Sequence, residues 1–248
     1  MMIKALIFDL DYTLVDASQG IFLCVNYAMK KMNHPEYVYE KVAIIIGIPL
    51  LKIFAALTGD DDQEKARTFQ NYFIEHAKKV LIDNTRLYDS VIPMLKKAKQ
   101  QGYKRAIVTS KYRYALDDIL DRFKLRDYFD FHIAGNEIEN PKPDPSSIIR
   151  ALAHLKVLPE ETVYVGDSDI DAEAAQRAKV NFIAVLTGQT QQEKFFPYPY
   201  IAILPNLNRL LDIVSLKNAT QNLLIHSKPN EEKKKAQTNH TIKLRSAL

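Results

Sequence analysis

The sequence predicts an α/β fold, a parallel sheet interrupted after its first strand by an all-helical block. Three observations predict it. The apolar run ending Ala5-Leu6-Ile7-Phe8 has no polar face and stops on Asp9 and Asp11, as a strand buried on both sides does. From residue 89 onward, short apolar runs alternate with segments of helical period, which in one sheet means parallel strands joined by right-handed crossovers. Between the two, residues 17–86 carry helical periodicity alone.

Within that block, Ile21, Val25, Ala28, Met29 and Met32 recur at helical spacing. So do Ala66, Phe69, Phe73, His76, Val80 and Leu81, with a short apolar helix around residues 50–54 between the two runs. His76 reads as part of an apolar stripe. Helices placed directly after a first strand are best understood as an insertion lying outside the sheet. Gly47-Ile48-Pro49 breaks the block and suits either a plain turn or a loop at the entrance to a site. Further on, a helix bearing Val91, Met94, Leu95 and Ala98 is stopped by Gly102. A strand is expected at residues 105–109, a helix through Ala115, Ile119 and Phe123, and a strand at 129–133. A helix with Ile148, Ala151, Leu152 and Leu155 comes next, then a strand at 162–165, a helix at 171–179 and a strand at 182–185. Residues 200–204 and 206–214 supply one more strand and helix.

With 47% hydrophobic and 26% charged residues, the chain has the composition of a globular protein large enough to bury a core. Its apolar runs are too short for a transmembrane helix, and Asp9 and Asp11 interrupt the first of them too early for a signal peptide, so the cytoplasm is the expected compartment. Cys24 is the one cysteine, which excludes an intramolecular disulfide and a cysteine-rich metal cluster. The net charge of +4 is uneven. Residues 217–248 hold seven Lys or Arg against two Glu, while residues 1–216 hold 27 basic and 28 acidic residues. The segment from 215 reads as a disordered basic tail, which is either a solvated tail or a nucleic-acid contact.

Residues two apart on a strand share a face, so Asp9 and Asp11 lie together at the carboxyl edge of the sheet, where open α/β sheets bind ligands. Two adjacent carboxylates repel unless a cation sits between them or one takes a proton. A hard divalent ion such as Mg²⁺ suits them, because it takes oxygen ligands and few carboxylates. Three other strands end in residues useful to the same chemistry. Thr109 and Ser110 follow the strand at 105–109, where they would equally cap the next helix. Lys142 lies in the loop after the strand at 129–133, stiffened between Pro141 and Pro143. Asp167 follows the strand at 162–165, and Asp167, Asp169 and Asp171 would also suit the acidic start of a helix. Parallel strands end at one edge, so these groups are expected to converge on Asp9 and Asp11.

Asp9-Leu10-Asp11-Tyr12-Thr13, Thr109, Lys142 and Gly166-Asp167-Ser168-Asp169-Ile170-Asp171 resemble, in order and spacing, the four motifs of the haloacid dehalogenase superfamily. The resemblance covers residues 1 to about 214, and it is nearest to the phosphoglycolate phosphatase-type hydrolases, whose helical cap is inserted after the first motif. It implies a Rossmann-like core at 1–16 and 87–214, a cap at 17–86, and Mg²⁺-dependent hydrolysis of a small phosphate monoester. It further implies Asp9 as nucleophile, Asp11 as acid and base, and Thr109, Ser110 and Lys142 on the phosphoryl oxygens. Asp9, the backbone carbonyl of Asp11 and Asp167 would hold Mg²⁺, with Asp171 orienting the groups around them. Two positions depart from the pattern: Tyr12 stands where Gly is usual, and Ser110 where Asn is frequent.

Other readings keep part of this chemistry. A sugar-phosphate mutase or a pyrophosphatase would use the same fold. Dehalogenation needs no metal, which the paired carboxylates argue against. A phospho-acceptor such as a receiver domain shares the acidic pair, hydroxyl and lysine but is about half as long and lacks the helical insertion. A nucleic-acid-binding role would rest on the tail alone. The partner expected is a small phosphorylated metabolite, with no membrane.

Overall fold

The structure is a computed structural model that describes residues 1–226. It opens with β1 (Ala5–Phe8), four fully buried side chains, and β2 (Val15–Asp16). Four helices follow: α1 (Ser18–Lys31), α2 (Tyr39–Ala43), α3 (Leu50–Thr58) and α4 (Gln63–Val80). The chain returns through β3 (Arg86–Leu87), then alternates: α5 (Val91–Gln100), β4 (Lys104–Val108), α6 (Arg113–Arg122), β5 (Phe131–Ile133) and α7 (Ser146–Leu155). It continues with β6 (Thr162–Gly166), α8 (Asp169–Arg177), β7 (Asn181–Val185), β8 (Ala202–Leu204) and α9 (Leu210–His226). None of the described helices is long and apolar enough to cross a membrane.

Six strands form one parallel sheet in the order β5-β4-β1-β6-β7-β8. The unbroken apolar run of β1 is explained by its place at the centre, covered on both faces. Leu6 and Phe8 pack with Val91, Leu95, Leu116 and Leu210 on one side. Ala5 and Ile7 pack with Ile148, Ala151, Ala172 and Ala175 on the other. Each large apolar side chain removed from water in this way contributes about 1.5–3 kcal/mol. From β1 the chain winds outward through β4 and β5, then returns and winds the opposite way through β6, β7 and β8. The reversal falls between β1 and β6, where the loops leaving the two strand ends diverge and open a crevice.

Helices α1 to α4 have an apolar core of their own, built from Val25, Met29, Phe54, Phe69 and Phe73, over the carboxyl edge of the sheet. The block is entered and left through an antiparallel ribbon pairing Val15 with Leu87 and Asp16 with Arg86. The Arg86 guanidinium donates to Asp16 Oδ2 at 3.1 and 2.8 Å. This ribbon and α2 have no counterpart in the expected elements, because two paired residues, or one helical turn, are too short to show a period. His76 stacks on Tyr27 at 4.2 Å and is half-buried, so it flanks the insert's core without joining it.

One boundary is corrected. The basic tail was expected from residue 215, yet α9 continues through His226, and the Asn218 side chain accepts from the backbone N–H of Ile3 at 2.6 Å. The physical reason is composition: residues 215–226 contain one lysine and several apolar residues, and the charge run begins beyond them. The remainder of the expected tail lies outside the described residues.

Candidate active site

The polar strand ends do converge. Asp9 follows β1, and the chain then turns at once, with Leu14 and Val15 donating their N–H groups to the Leu10 carbonyl and Tyr12 in the left-handed region at φ 57°. Thr109 follows β4, Asp167 follows β6, and Lys142 arrives from the loop after β5; all four, with Asp11 and Asp171, are buried. Lys142 Nζ donates to Asp9 Oδ1 at 2.8 Å, to Asp171 Oδ1 at 2.6 Å and to the Tyr164 hydroxyl at 3.1 Å, which accounts for its three protons. Asp171 is held from its other side by the Ser168 hydroxyl at 2.6 Å and the Ser168 N–H at 3.2 Å, in a capping box that starts α8. Asp167 has a single long contact, Thr13 Oγ1 to Oδ1 at 3.4 Å.

The second carboxylate, Asp11, faces away from Lys142. Its Oδ2 pairs with Lys111 Nζ at 3.0 Å, and its Oδ1 is buried without a partner among the described residues. Thr109 Oγ1 accepts from the Lys111 N–H at 3.1 Å. Neither Thr109 nor Ser110 caps α6, whose cap position is Tyr112, so that alternative is set aside. Ser110 is half-buried beside Asp11 on the wall of a cleft.

Electrostatically the cluster is short of positive charge. Four carboxylates, Asp9, Asp11, Asp167 and Asp171, face the two ammonium groups of Lys111 and Lys142. Burial pushes the Asp9 carboxyl up to about 7 against the pull of Lys142, with repulsion from Asp171 and Asp11 adding to the rise. Burial, with Asp171 and Asp9 nearby, also holds Asp167 well above the usual carboxylate range. For Lys142, burial opposes the charge, but Asp171 and Asp9 outweigh it and keep the amine protonated. One oxygen each from Asp9, Asp167 and Asp171 lies within 4.8 Å of the others. Of the three, Asp171 already has donors on both oxygens, whereas Asp9 and Asp167 have room for a cation. Hard oxygen donors with an uncompensated double negative charge fit Mg²⁺. The expectation for Asp11 is a ligand through its backbone carbonyl; its carboxylate is paired with Lys111.

Two expected results follow from this arrangement. A carboxyl raised from 3.8 to about 7 binds protons more readily in the folded chain, so its contribution to stability is fully present below 3.8 and lost as pH rises through 7. Metal-free protein should therefore melt higher at about pH 6 than at about pH 8, and Mg²⁺ should raise Tm more at the higher pH. Differential scanning fluorimetry in EDTA and in Mg²⁺ checks both, and equal shifts at the two pH values would contradict the assignment. The second result concerns Gly188, where an added Cβ would meet Asp167 Oδ2 at 1.9 Å. Gly188→Ala should turn the Asp167 carboxylate aside and weaken Mg²⁺ binding by about 10-fold or more, a scale set by groups that orient metal ligands, as read by calorimetric titration.

Lys111, Tyr164, Thr13 and Gly188 were not singled out by sequence reasoning. Lys111 carried a usable signal, since it stands two residues beyond Thr109 at the same strand end. Tyr164 carried none: a tyrosine inside a buried strand looks like core until a lysine from a distant loop reaches its hydroxyl. Tyr12, which stands where Gly is usual, has a buried side chain, and its carbonyl accepts from the Thr187 hydroxyl.

Comparison with known proteins gives the same fold. The family model described as haloacid dehalogenase-like hydrolase matches residues 6–185. A phosphoglycolate phosphatase of Nitrosospira multiformis is 30% identical over 210 residues, covering 83% of this chain and 92% of that protein. The pyrophosphatase PpaX of Bacillus mycoides is 30% identical over 221 residues, covering 88% of this chain and 100% of its own. Among solved structures, a haloacid dehalogenase-like hydrolase from Bacteroides fragilis superposes with a TM-score of 0.81 at 33% identity, covering 84% of this chain and 99% of that one.

Proposed function

We propose that this chain, which belongs to the haloacid dehalogenase-like hydrolase family, is a Mg²⁺-dependent phosphatase that hydrolyses a small phosphate monoester through an aspartyl phosphate. The observation that carries the reading is the meeting of a buried aspartate with a buried lysine at 2.8 Å, beside two further carboxylates, at the switch point of the sheet. A dianionic phosphate approaches a carboxylate nucleophile only where positive charge meets it, and phosphoryl transfer is catalysed chiefly by positioning and such stabilisation.

In this reading an Asp9 oxygen attacks phosphorus, the bond from phosphorus to the ester oxygen breaks, and the leaving oxygen takes a proton from Asp11. Asp11 then takes a proton from the water that attacks phosphorus, and the bond to Asp9 breaks, releasing phosphate. Lys142 and Thr109 hold the phosphoryl oxygens, with Ser110 at the edge of the same pocket. Asp9, Asp167 and the backbone carbonyl of Asp11 would hold Mg²⁺, which supplies positive charge to the phosphoryl oxygens when bound. Asp171 fixes Lys142, and the Lys111 ammonium keeps Asp11 turned toward the cleft. Residues 17–86 act as a cap over a core of 1–16 and 87–214, keeping bulk water from the reacting centre.

Phosphate release from an aryl phosphate, followed with Mg²⁺ and with EDTA, tests the reading. Turnover in Mg²⁺ abolished by EDTA is expected. Turnover indifferent to chelation, or a long-lived aspartyl phosphate with no release, would remove it. Sugar-phosphate isomerisation without hydrolysis would transfer the reading to a mutase.

A further inference from the structure

On the Asp11 side of the carboxylate cluster lies a cleft of about 500 Å³ between the helical block and α6. Its walls are mostly hydrocarbon: Ile21, Ile48, Ile53, Phe73 and Leu81 from the block face Tyr114 from α6. The polar groups on it are few and largely engaged. Lys111, the one cation on the lining, is paired with Asp11 at 3.0 Å, and the Tyr112 hydroxyl is taken by the Gln70 amide. A second cavity, on the Asp167 side, has Asp167 and Asp169 as its charged residues. Among the described residues, the one positive charge on either lining is Lys111, which Asp11 holds.

Asp11 lines the cleft beside α6, while Asp9, Thr109 and Lys142 do not. If Asp11 protonates the leaving oxygen, the carbon attached to that oxygen must run into this cleft. An ionised group placed there would have only Ser110 and the Lys111 ammonium that Asp11 already holds to replace its hydration, whereas an apolar group would gain from leaving water.

We propose that the leaving group is uncharged and apolar, a single aromatic ring or branched alkyl alcohol seated among Ile48, Ile53, Phe73 and Tyr114. The proposal rests on the phosphatase reading above and narrows it. It sets this chain apart from the relatives named for phosphoglycolate and pyrophosphate, both of which carry a second anion next to the scissile phosphate.

The test compares kcat/KM for benzyl phosphate, 2-phosphoglycolate and pyrophosphate in Mg²⁺. Benzyl alcohol and glycolate leave through primary alcohol oxygens, so that pair reports on the cleft and little on the chemistry of departure. Benzyl phosphate is expected to lead by about 10- to 100-fold, the range that one or a few apolar contacts give. Ile48 is half-buried, so Ile48→Arg should fold, and it should move the ratio toward 2-phosphoglycolate by about 10-fold. Equal or better hydrolysis of 2-phosphoglycolate or pyrophosphate by the unaltered protein would overturn the apolar leaving group and leave the phosphatase standing. A folded Ile48→Arg protein with an unchanged ratio would remove the leaving group from this cleft. Hydrolysis of none of the three, nor of the aryl phosphate, would overturn the phosphatase reading and this proposal with it.

Discussion

Asp9→Asn is expected to lower kcat by about 10⁴-fold or more, the scale seen when a nucleophile is removed, without unfolding the chain. The amide keeps an oxygen to accept the Lys142 bond now made at 2.8 Å, so the lysine remains anchored. Its effect on stability has the opposite sign from its effect on rate. At about pH 8 the wild-type carboxyl is ionised both folded and unfolded, and its raised pKa of about 7 is a cost to the folded state. Asparagine carries no such cost. Metal-free Asp9→Asn should thus melt as high as wild type or higher at about pH 8, with the difference shrinking as pH falls through the window between 3.8 and 7. Steady-state phosphate release and thermal melts on the same preparation check both halves. Retention of full rate would end the nucleophile assignment, and a large fall in Tm would show that the side chain serves the fold instead.

Lys142→Met should lose both activity and stability. Methionine fills the hydrocarbon part of the lysine but leaves Asp9, Asp171 and the Tyr164 hydroxyl without the donor they share. Removing one partner of a buried charge pair typically costs about 3–5 kcal/mol. For a chain of this size that corresponds to a fall in Tm of about 6–20 °C. The deficit should be smaller at low pH, because Asp9 then takes a proton and no longer needs the ammonium. Added Mg²⁺ should recover part of the melting temperature but not the rate, since in the proposed mechanism the lysine also meets the substrate. A variant with wild-type Tm at about pH 8 would mean that Lys142 is not the positive centre of the cluster.

Much of the fold was legible because its signals are local. β1 reads as buried from four consecutive apolar residues, and the alternation from residue 89 onward needs nothing beyond period and turn chemistry. Gly102, at φ +78°, ends α5 as its sequence position suggested. The β2–β3 ribbon was invisible because a two-residue pairing across 70 positions leaves no trace in either segment. The extent of α9 was misread for a different reason: a charge count taken over 217–248 attributed the composition of the distal residues to the whole segment.

The sequence by itself determined that Asp9, Asp11, Thr109, Lys142 and Asp167 stand at strand ends, and parallel strands oblige such residues to meet at one edge. Only the tertiary structure decided which carboxylate faces which cation. Lys142 goes to Asp9 and Asp171 while Lys111 goes to Asp11, and so the two sides of the site part company. The apolar wall of the cleft was likewise beyond sequence reading. Ile48, Phe73 and Tyr114 belong to three separate segments, and side chains so far apart along the chain share a surface only once the helical block has come down over the sheet.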